Sequence, residues 1–289
     1  MKRIESIEAM RNFSCQAQQK HHTIGLVPTM GALHRGHLSL IQTAREECQE
    51  VVVSIFVNPT QFGKNEDYHR YPRHWEQDCS LAEAAGATAV FLPTASEMYP
   101  AGYQTTLHLG ELTHHLCGTH RPGHFDAVAT VVSKLLLIVT PHRAYFGQKD
   151  AQQLRVIQQM TTDLNMNVTI VPLPTLREMD GLAMSSRNAY LSPGERKAAT
   201  ILYQALLNTE KAAHSGITSP AALQQLLVSQ LSSEPLAQVE YAAVADPLTL
   251  RSLTQRQPSM LLAVAVRIGD TRLIDNLLIH LSTEERAAI

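Results

Sequence analysis

From Ile24 to about Ile170 the chain alternates short apolar runs, rich in β-branched residues, with longer stretches in which apolar residues recur every three or four positions. That alternation is the pattern of a parallel sheet flanked by helices. The runs predict strands at Ile24 to Pro28, Val51 to Val57, Thr88 to Leu92, Ala144 to Phe146 and Val168 to Val171. Val51-Val-Val-Ser-Ile-Phe-Val57 hardly alternates at all, as expected of a central strand covered on both faces. Between the strands, Leu38, Ile41, Ala44 and Cys48 mark one helix stripe, Trp75, Cys79, Ala82 and Ala85 a second, and Leu154, Ile157, Met160 and Leu164 a third. These stripes are expected to face the core. After Val171 the texture changes. Pro172 and Pro174 predict a linker, Arg177 to Asn188 a loop without period, and Ser192-Pro-Gly-Glu195 a helix start with Ser at the cap and Glu three residues on. Ser219-Pro220 opens another helix in the same way, and Val239 to Val244, Met260 to Ile268 and Leu273 to Ile279 predict a small sheet. The expected fold class is therefore α/β, with a parallel-sheet domain over residues 1–174 and a smaller α+β domain over residues 175–289.

Composition narrows the function classes. Across 289 residues, 24 Lys plus Arg stand against 26 Asp plus Glu, a formal charge of −2 with all 14 His neutral. A nucleic-acid or anionic-membrane surface needs a basic excess, which is missing here. Apolar content of 44% and charged content of 17% describe a folded globular chain. Cys15, Cys48, Cys79 and Cys117 form no Cys-x-x-Cys pair, so reduced thiols in a cytoplasmic protein are expected rather than a disulfide framework or zinc knuckle. Charges interrupt the N-terminus where a signal peptide needs an apolar stretch, and Lys134 interrupts the most apolar run, Val131 to Val139. Neither secretion nor membrane insertion is expected.

Five constellations could carry chemistry. Pro28-Thr-Met30-Gly31-Ala-Leu-His34-Arg-Gly-His37 lies between the first strand and the first helix. There, at the C-terminal edge of a sheet and a helix N-terminus, anions are favoured. Two imidazoles three residues apart can face one phosphate there, although a His-x-x-His pair alone also suits two surface histidines in a turn. Asn58-Pro-Thr-Gln61-Phe leaves the second strand with two uncharged amides fit to orient a hydroxy acid, or to make a turn. Tyr71 supplies a wall to the same pocket or begins a helix. Arg121-Pro-Gly-His124-Phe reads as a flexible loop carrying Arg121 near an anion, or as a plain surface loop. Gly147-Gln148-Lys149-Asp150-Ala-Gln-Gln153 again joins a strand to a helix, with Lys149 adding a mobile positive charge and Gln153 on the same face. Arg177 to Asn188 includes Met184, Ser185, Ser186 and Arg187, two hydroxyls and a guanidinium in a loop that can follow polyphosphate charge, or in a solvated loop with an incidental Arg. There is no Walker loop, no Gly-x-Gly-x-x-Gly and no zinc-ligand spacing.

Taken together and in order, these motifs resemble the pantothenate synthetase (pantoate–β-alanine ligase) family of the nucleotidyltransferase superfamily over nearly the whole chain. Pro28 to His37 is similar to the superfamily's His-Ile-Gly-His element, and Gly181 to Asn188 to its Lys-Met-Ser-Lys-Ser element with Arg187 in place of the second Lys. Ala127 stands where the family is expected to carry Gly, in what is expected to be a loop. The resemblance implies a Rossmann-like nucleotidyltransferase domain; because Ser185, Ser186 and Arg187 follow the expected linker, residues 175–289 are expected to close as a lid. The resemblance implies ligation of pantoate and β-alanine, with ATP and Mg²⁺, through pantoyl adenylate. It assigns catalysis to His34, His37 and Lys149. The nucleotide falls to Met30, Gly31, His34, His37, Gly147, Gln148, Lys149, Asp150, Leu176, Met184, Ser185, Ser186 and Arg187. Pantoate falls to Gln61 and Gln153 with Asn58 supporting, and Arg121 and Tyr71 complete the substrate pocket. A cytoplasmic homodimer is implied as well.

Overall fold

The computed structural model describes residues 1–64 and 66–281. In chain order the elements are β1 (Lys2–Ile4), α1 (Ile7–Gln19), β2 (Ile24–Thr29), α2 (Arg35–Glu47), β3 (Glu50–Ile55), α3 (Trp75–Ala84), β4 (Ala89–Phe91), α4 (Ala95–Met98), α5 (Cys117–His120) and α6 (His124–Val139). They continue with β5 (Arg143–Gly147), α7 (Ala151–Asp163), β6 (Thr169–Leu173), α8 (Pro193–Ala198), α9 (Ile201–His214), α10 (Pro220–Ser232), β7 (Ala237–Ala245), β8 (Ser259–Ile268) and β9 (Thr271–His280). The chain forms two compact units. The first takes Met1–Thr113, Arg121–Gln148 and Gln153–Thr175, and the second takes His114–His120, Lys149–Gln152 and the described residues from Leu176 onward. Residues 282–289, the end of the expected second domain, lie outside the described residues.

In the first unit six strands pair in the order β1-β4-β3-β2-β5-β6, every pair parallel. This is the Rossmann-like α/β arrangement. From β2 the chain winds outward through β3 and β4, then returns to place β5 against the other side of β2. The C-terminal ends of β2 and β5 therefore flank the point where strand order reverses, the place where such sheets bind ligands. Val51, Val52 and Val53 are wholly buried because β3 is an interior strand, which explains its unbroken apolar run. Ile41, Ala44, Cys79, Ala82, Ile157 and Met160 pack in the core as their stripes predict, but Trp75 and Leu164, at helix ends, are exposed.

Two features of the first sheet also depart from the expectation, as does the assignment of His114–His120 and Lys149–Gln152 to the second unit. The strand β1 pairs with β4 although only Ile4 of its three residues is buried; three residues with two charges carry no readable period. Pro172 lies within β6, opposite Phe146, rather than in a linker. It is tolerated there because β6 is an edge strand with one side free of partners, so the missing N–H breaks no ladder. The apolar run with Lys134 at its centre is α6, a helix of 16 residues that buries most of its faces. No helix among the described residues is long and apolar enough to cross a membrane.

The second unit is an antiparallel sheet in the order β7-β8-β9, with α9 and α10 supplying Leu202, Leu206, Leu223, Leu227 and Leu231 to its core. Ser192 and Glu195 make the expected reciprocal cap of α8, and Ser219 caps α10. The two earlier segments belong here through specific bonds. Gln152 accepts from Cys117 N at 2.9 Å and donates to His115 O at 2.7 Å. The Cys117 thiol in turn lies 3.1 Å from the Tyr241 hydroxyl.

Candidate active site

After β2 the backbone reverses through two left-handed residues, Gly31 at φ +85° and Ala32 at φ +50°. Glycine is needed at the first, since a Cβ there would stand 2.9 Å from Asp78 Oδ2 and 3.1 Å from Ile55 Cγ2. Ala32 holds a conformation that costs a non-glycine residue roughly 1–2 kcal/mol. What offsets that strain is Asp78 on α3, a carboxylate 1% exposed that accepts Ala32 N at 2.9 Å and Leu33 N at 2.7 Å. The chain is thereby delivered to His34, the N-cap of α2. His34 Nδ1 accepts Gly36 N at 3.2 Å, and His37 Nδ1 accepts His34 N at 3.3 Å, with the two rings 4.0 Å apart. A ring nitrogen that accepts a backbone N–H carries no proton. Both neutral imidazoles therefore hold their hydrogen on Nε2, the tautomer that donates to an oxyanion at the positive end of a helix.

The amide pair is built as a hierarchy. Asn58, 1% exposed, caps a short 3₁₀ turn, Pro59–Gln61. Its Oδ1 accepts the Thr60 hydroxyl and the Tyr99 hydroxyl, both at 2.9 Å, and its Nδ2 donates to Gln61 Oε1 at 3.1 Å. That bond turns Gln61 so that its Nε2 faces the Met30 sulfur at 3.3 Å. Asn58 is thus committed within the protein, and Gln61 is the member it orients. Burial raises the Tyr99 hydroxyl above its ordinary pKa, so it stays a donor. Tyr71 is buried and meets Phe62 edge-on at 6.0 Å.

Arg121 is held by a carboxylate the sequence reading did not pair with it. Its Nε and Nη2 each donate to Glu66 at 2.6 Å. Because a guanidinium can only donate, its 2.8 Å approach to His124 Nε2 makes that nitrogen an acceptor, leaving Nδ1–H to donate to Gln61 O at 2.8 Å. Burial pushes the Glu66 carboxyl up, but the hydrogen bonds and charge of Arg121 outweigh it and hold the group below the ordinary carboxylate range. His124 and Ala127 are in the first turn of α6 rather than in a loop. There Ala in place of Gly favours helix, and its carbonyl faces Asn58 Nδ2 at 3.5 Å.

The remaining candidates fall in the second unit, Gly147, Gln148 and Gln153 excepted. Lys149 sits in a 3₁₀ turn, Gln148–Asp150, ahead of α7. The tighter turn changes the angular step, so Lys149 and Gln153 are not the single-helix pair their spacing predicts. The Lys149 ammonium has no carboxylate partner among the described residues. Arg177 to Ala183 folds back as a narrow hairpin closed by one bridge, and Met184 N donates to Leu176 O at 3.0 Å with the Met184 side chain buried. Ser185 then caps a 3₁₀ turn, Ser186–Tyr190, accepting Arg187 N at 3.3 Å. Asp78, Tyr99, Asp275 and Asn276 are the residues the sequence reading missed. Asp78, Asp275 and Asn276 are ordinary polar residues within predicted elements, Tyr99 follows a short helix that no period announced, and nothing local distinguishes any of them. Among the described residues no group of three His, Cys, Asp or Glu side chains is arranged to hold a metal ion.

Comparison with known proteins shows which family the chain resembles over nearly its whole length. A family model described as Pantoate-beta-alanine ligase matches residues 2–278. The pantothenate synthetase of Heliobacterium modesticaldum is 51% identical over 280 residues, 97% of this chain and 100% of that protein. Of solved structures, the chain is similar to the pantothenate synthetase of Thermus thermophilus, with a TM-score of 0.91 at 46% identity over 96% of this chain and 99% of that one. It is also similar to the pantoate–β-alanine ligase of Francisella tularensis complexed with beta-gamma ATP and β-alanine, with a TM-score of 0.79 at 35% identity over 96% and 97% of the two chains.

Proposed function

The chain belongs to the pantoate–β-alanine ligase family, and from that premise we propose how its residues divide the work. The enzyme is an ATP-dependent ligase that makes pantothenate from pantoate and β-alanine. A pantoate carboxylate oxygen attacks the α-phosphorus of ATP, and the bond to the β-phosphate breaks with its electron pair leaving on pyrophosphate. The β-alanine amine then attacks the acyl carbon of pantoyl adenylate, AMP departs, and the amine loses a proton. Neither step needs a covalent nucleophile from the protein, only in-line placement and stabilisation of moving charge.

His34 and His37 donate Nε2–H to phosphate oxygens, with His37 the donor that serves the departing pyrophosphate. The observation that carries this reading is the pair of backbone bonds onto Nδ1, which fixes the donor tautomer in both rings. Lys149, Ser185, Ser186 and Arg187 bind the triphosphate, while Met30, Gly31, Gly147, Gln148, Asp150, Leu176 and Met184 surround the nucleotide. Gln61 and Gln153 hold pantoate, Asn58 orients Gln61, Tyr71 forms a wall, and Arg121 acts with its Glu66 partner. Mg²⁺ bound with the nucleotide would neutralise phosphate charge. The protein works in the cytoplasm as a homodimer, and the part from residue 175 onward closes as a lid when ATP binds.

The test is ATP–pyrophosphate exchange with a panel of small carboxylic acids. Exchange is expected with pantoate and without β-alanine. Exchange that requires β-alanine, or that prefers an unrelated acid, would remove the two-step reading or the substrate.

A further inference from the structure

Two segments of the second unit are assigned above to the triphosphate: the turn at Lys149 and the loop from Ser185 to Arg187. Both are tied to one place on β9. Asp275 is a carboxylate 2% exposed, and it takes both terminal nitrogens of Arg177, at 2.6 and 2.9 Å. The same guanidinium donates to Gly181 O at 3.1 Å and lies over the Tyr203 ring, 3.8 Å from its centroid. One side chain thus clamps both arms of the hairpin that leads into Ser185. Gly181 is at φ +92°, and a Cβ there would run into Tyr203, so glycine is what lets the hairpin pass this close to that ring. The adjacent Asn276 donates from Nδ2 to the backbone oxygen of Lys149 at 2.8 Å. Asp275 Oδ1 also accepts Asn276 N at 2.8 Å, which joins the two anchors.

A carboxylate buried this deeply is tolerable only when fully paired, and a hydrophobic pair of the same volume would stabilise the fold as well. What the ionic and amide pair adds is direction. We infer that Asp275 and Asn276 are positioning residues that set the spacing between the Lys149 turn and the Ser185–Arg187 loop, and so match two cationic segments to one polyphosphate. They act through the backbone they hold. The inference rests on the proposed role of those segments, and it makes a distinction within the reaction. Adenylation needs the triphosphate; transfer of the pantoyl group to β-alanine does not.

The experiment compares full-length wild type, Asn276→Ala, Arg177→Lys and Lys149→Ala in two assays: ATP–pyrophosphate exchange, and formation of pantothenate from chemically prepared pantoyl adenylate and β-alanine. Asn276→Ala is expected to lower kcat/KM for ATP in exchange by about 10- to 100-fold, the effect of an ångström-scale misplacement. The pantoate KM and the rate from preformed adenylate should stay within about threefold, as that misplacement does not reach them. Arg177→Lys keeps the charge but loses the fork, and should give the same selective loss from the other anchor. Equal losses in both half-reactions, or no loss in a folded Asn276→Ala, would overturn the inference while leaving the triphosphate assignment standing. Full exchange activity in Lys149→Ala would instead remove the assignment itself. Should Asn276→Ala fail to fold, Arg177→Lys decides by the same split.

Discussion

The two regions assigned to phosphate are held in opposite ways. Around His34 and His37 the backbone bonds span two or three residues, and a single carboxylate, Asp78, reaches in from 45 and 46 residues away. Around Lys149 and Ser185 to Arg187 the decisive bonds come from β9, 98 residues from Arg177 and 127 from Lys149. A helix cap assembles whenever α2 forms, because its donors and acceptors are neighbours in sequence. The β9 anchors exist only once the whole second unit has closed, so their geometry depends on the long-range packing of that unit. The first region should therefore tolerate changes elsewhere in the fold, and the second should register them.

The sharpest test removes the histidine whose tautomer the cap fixes. His37→Gln should keep the fold and lower exchange by about 10²- to 10⁴-fold, the usual worth of a positioned donor or acid. Near-wild-type exchange with an unchanged circular dichroism melt would make the histidine pair an ordinary cap.

Asp78→Asn attacks the one distant anchor of the first region, with its two bonds. One of two backbone N–H groups would then face an amide N–H, leaving a buried donor unmet at about 1–3 kcal/mol. Urea unfolding should report that loss, and exchange should fall by about tenfold. If stability falls and exchange does not, the Gly31–Ala32 reversal holds without its carboxylate and the local cap alone is sufficient.

The smallest effect concerns Glu66, whose pairing with Arg121 spans 55 residues. Its folded pKa is depressed, so its contribution is fully present above the unfolded Glu value of about 4.3 and is lost as pH falls through the folded value. The urea stability of wild type minus that of Glu66→Gln should be constant from pH 7 to 5 and shrink below about pH 4. A difference independent of pH down to 3 would mean that Arg121 is held by shape rather than by charge.

Much of this protein was legible as sequence. Strands β2 to β6, the α8 and α10 caps, and the ordered motifs from His34 to Arg187 were all readable, since period, caps and turn chemistry act over a few residues. Asn58 and Gln61 were readable as a pair, but which of them supports the other depended on Tyr99 and Ala127, remote residues that fill Asn58's bonding capacity.

What the sequence alone determined is each element's kind and the residue types delivered to the strand ends. Tertiary structure decided the rest. Pro172 could be in a strand because β6 is at the sheet edge, and Lys2–Ile4 could be one because β4 offered it a partner. Asp78 and Asp275 are carboxylates like those on the surface, and only burial against particular N–H groups and a guanidinium made them anchors. The physical reason is the same in each case: a hydrogen bond is worth most where water is excluded, and the fold, not the local chain, decides where that is.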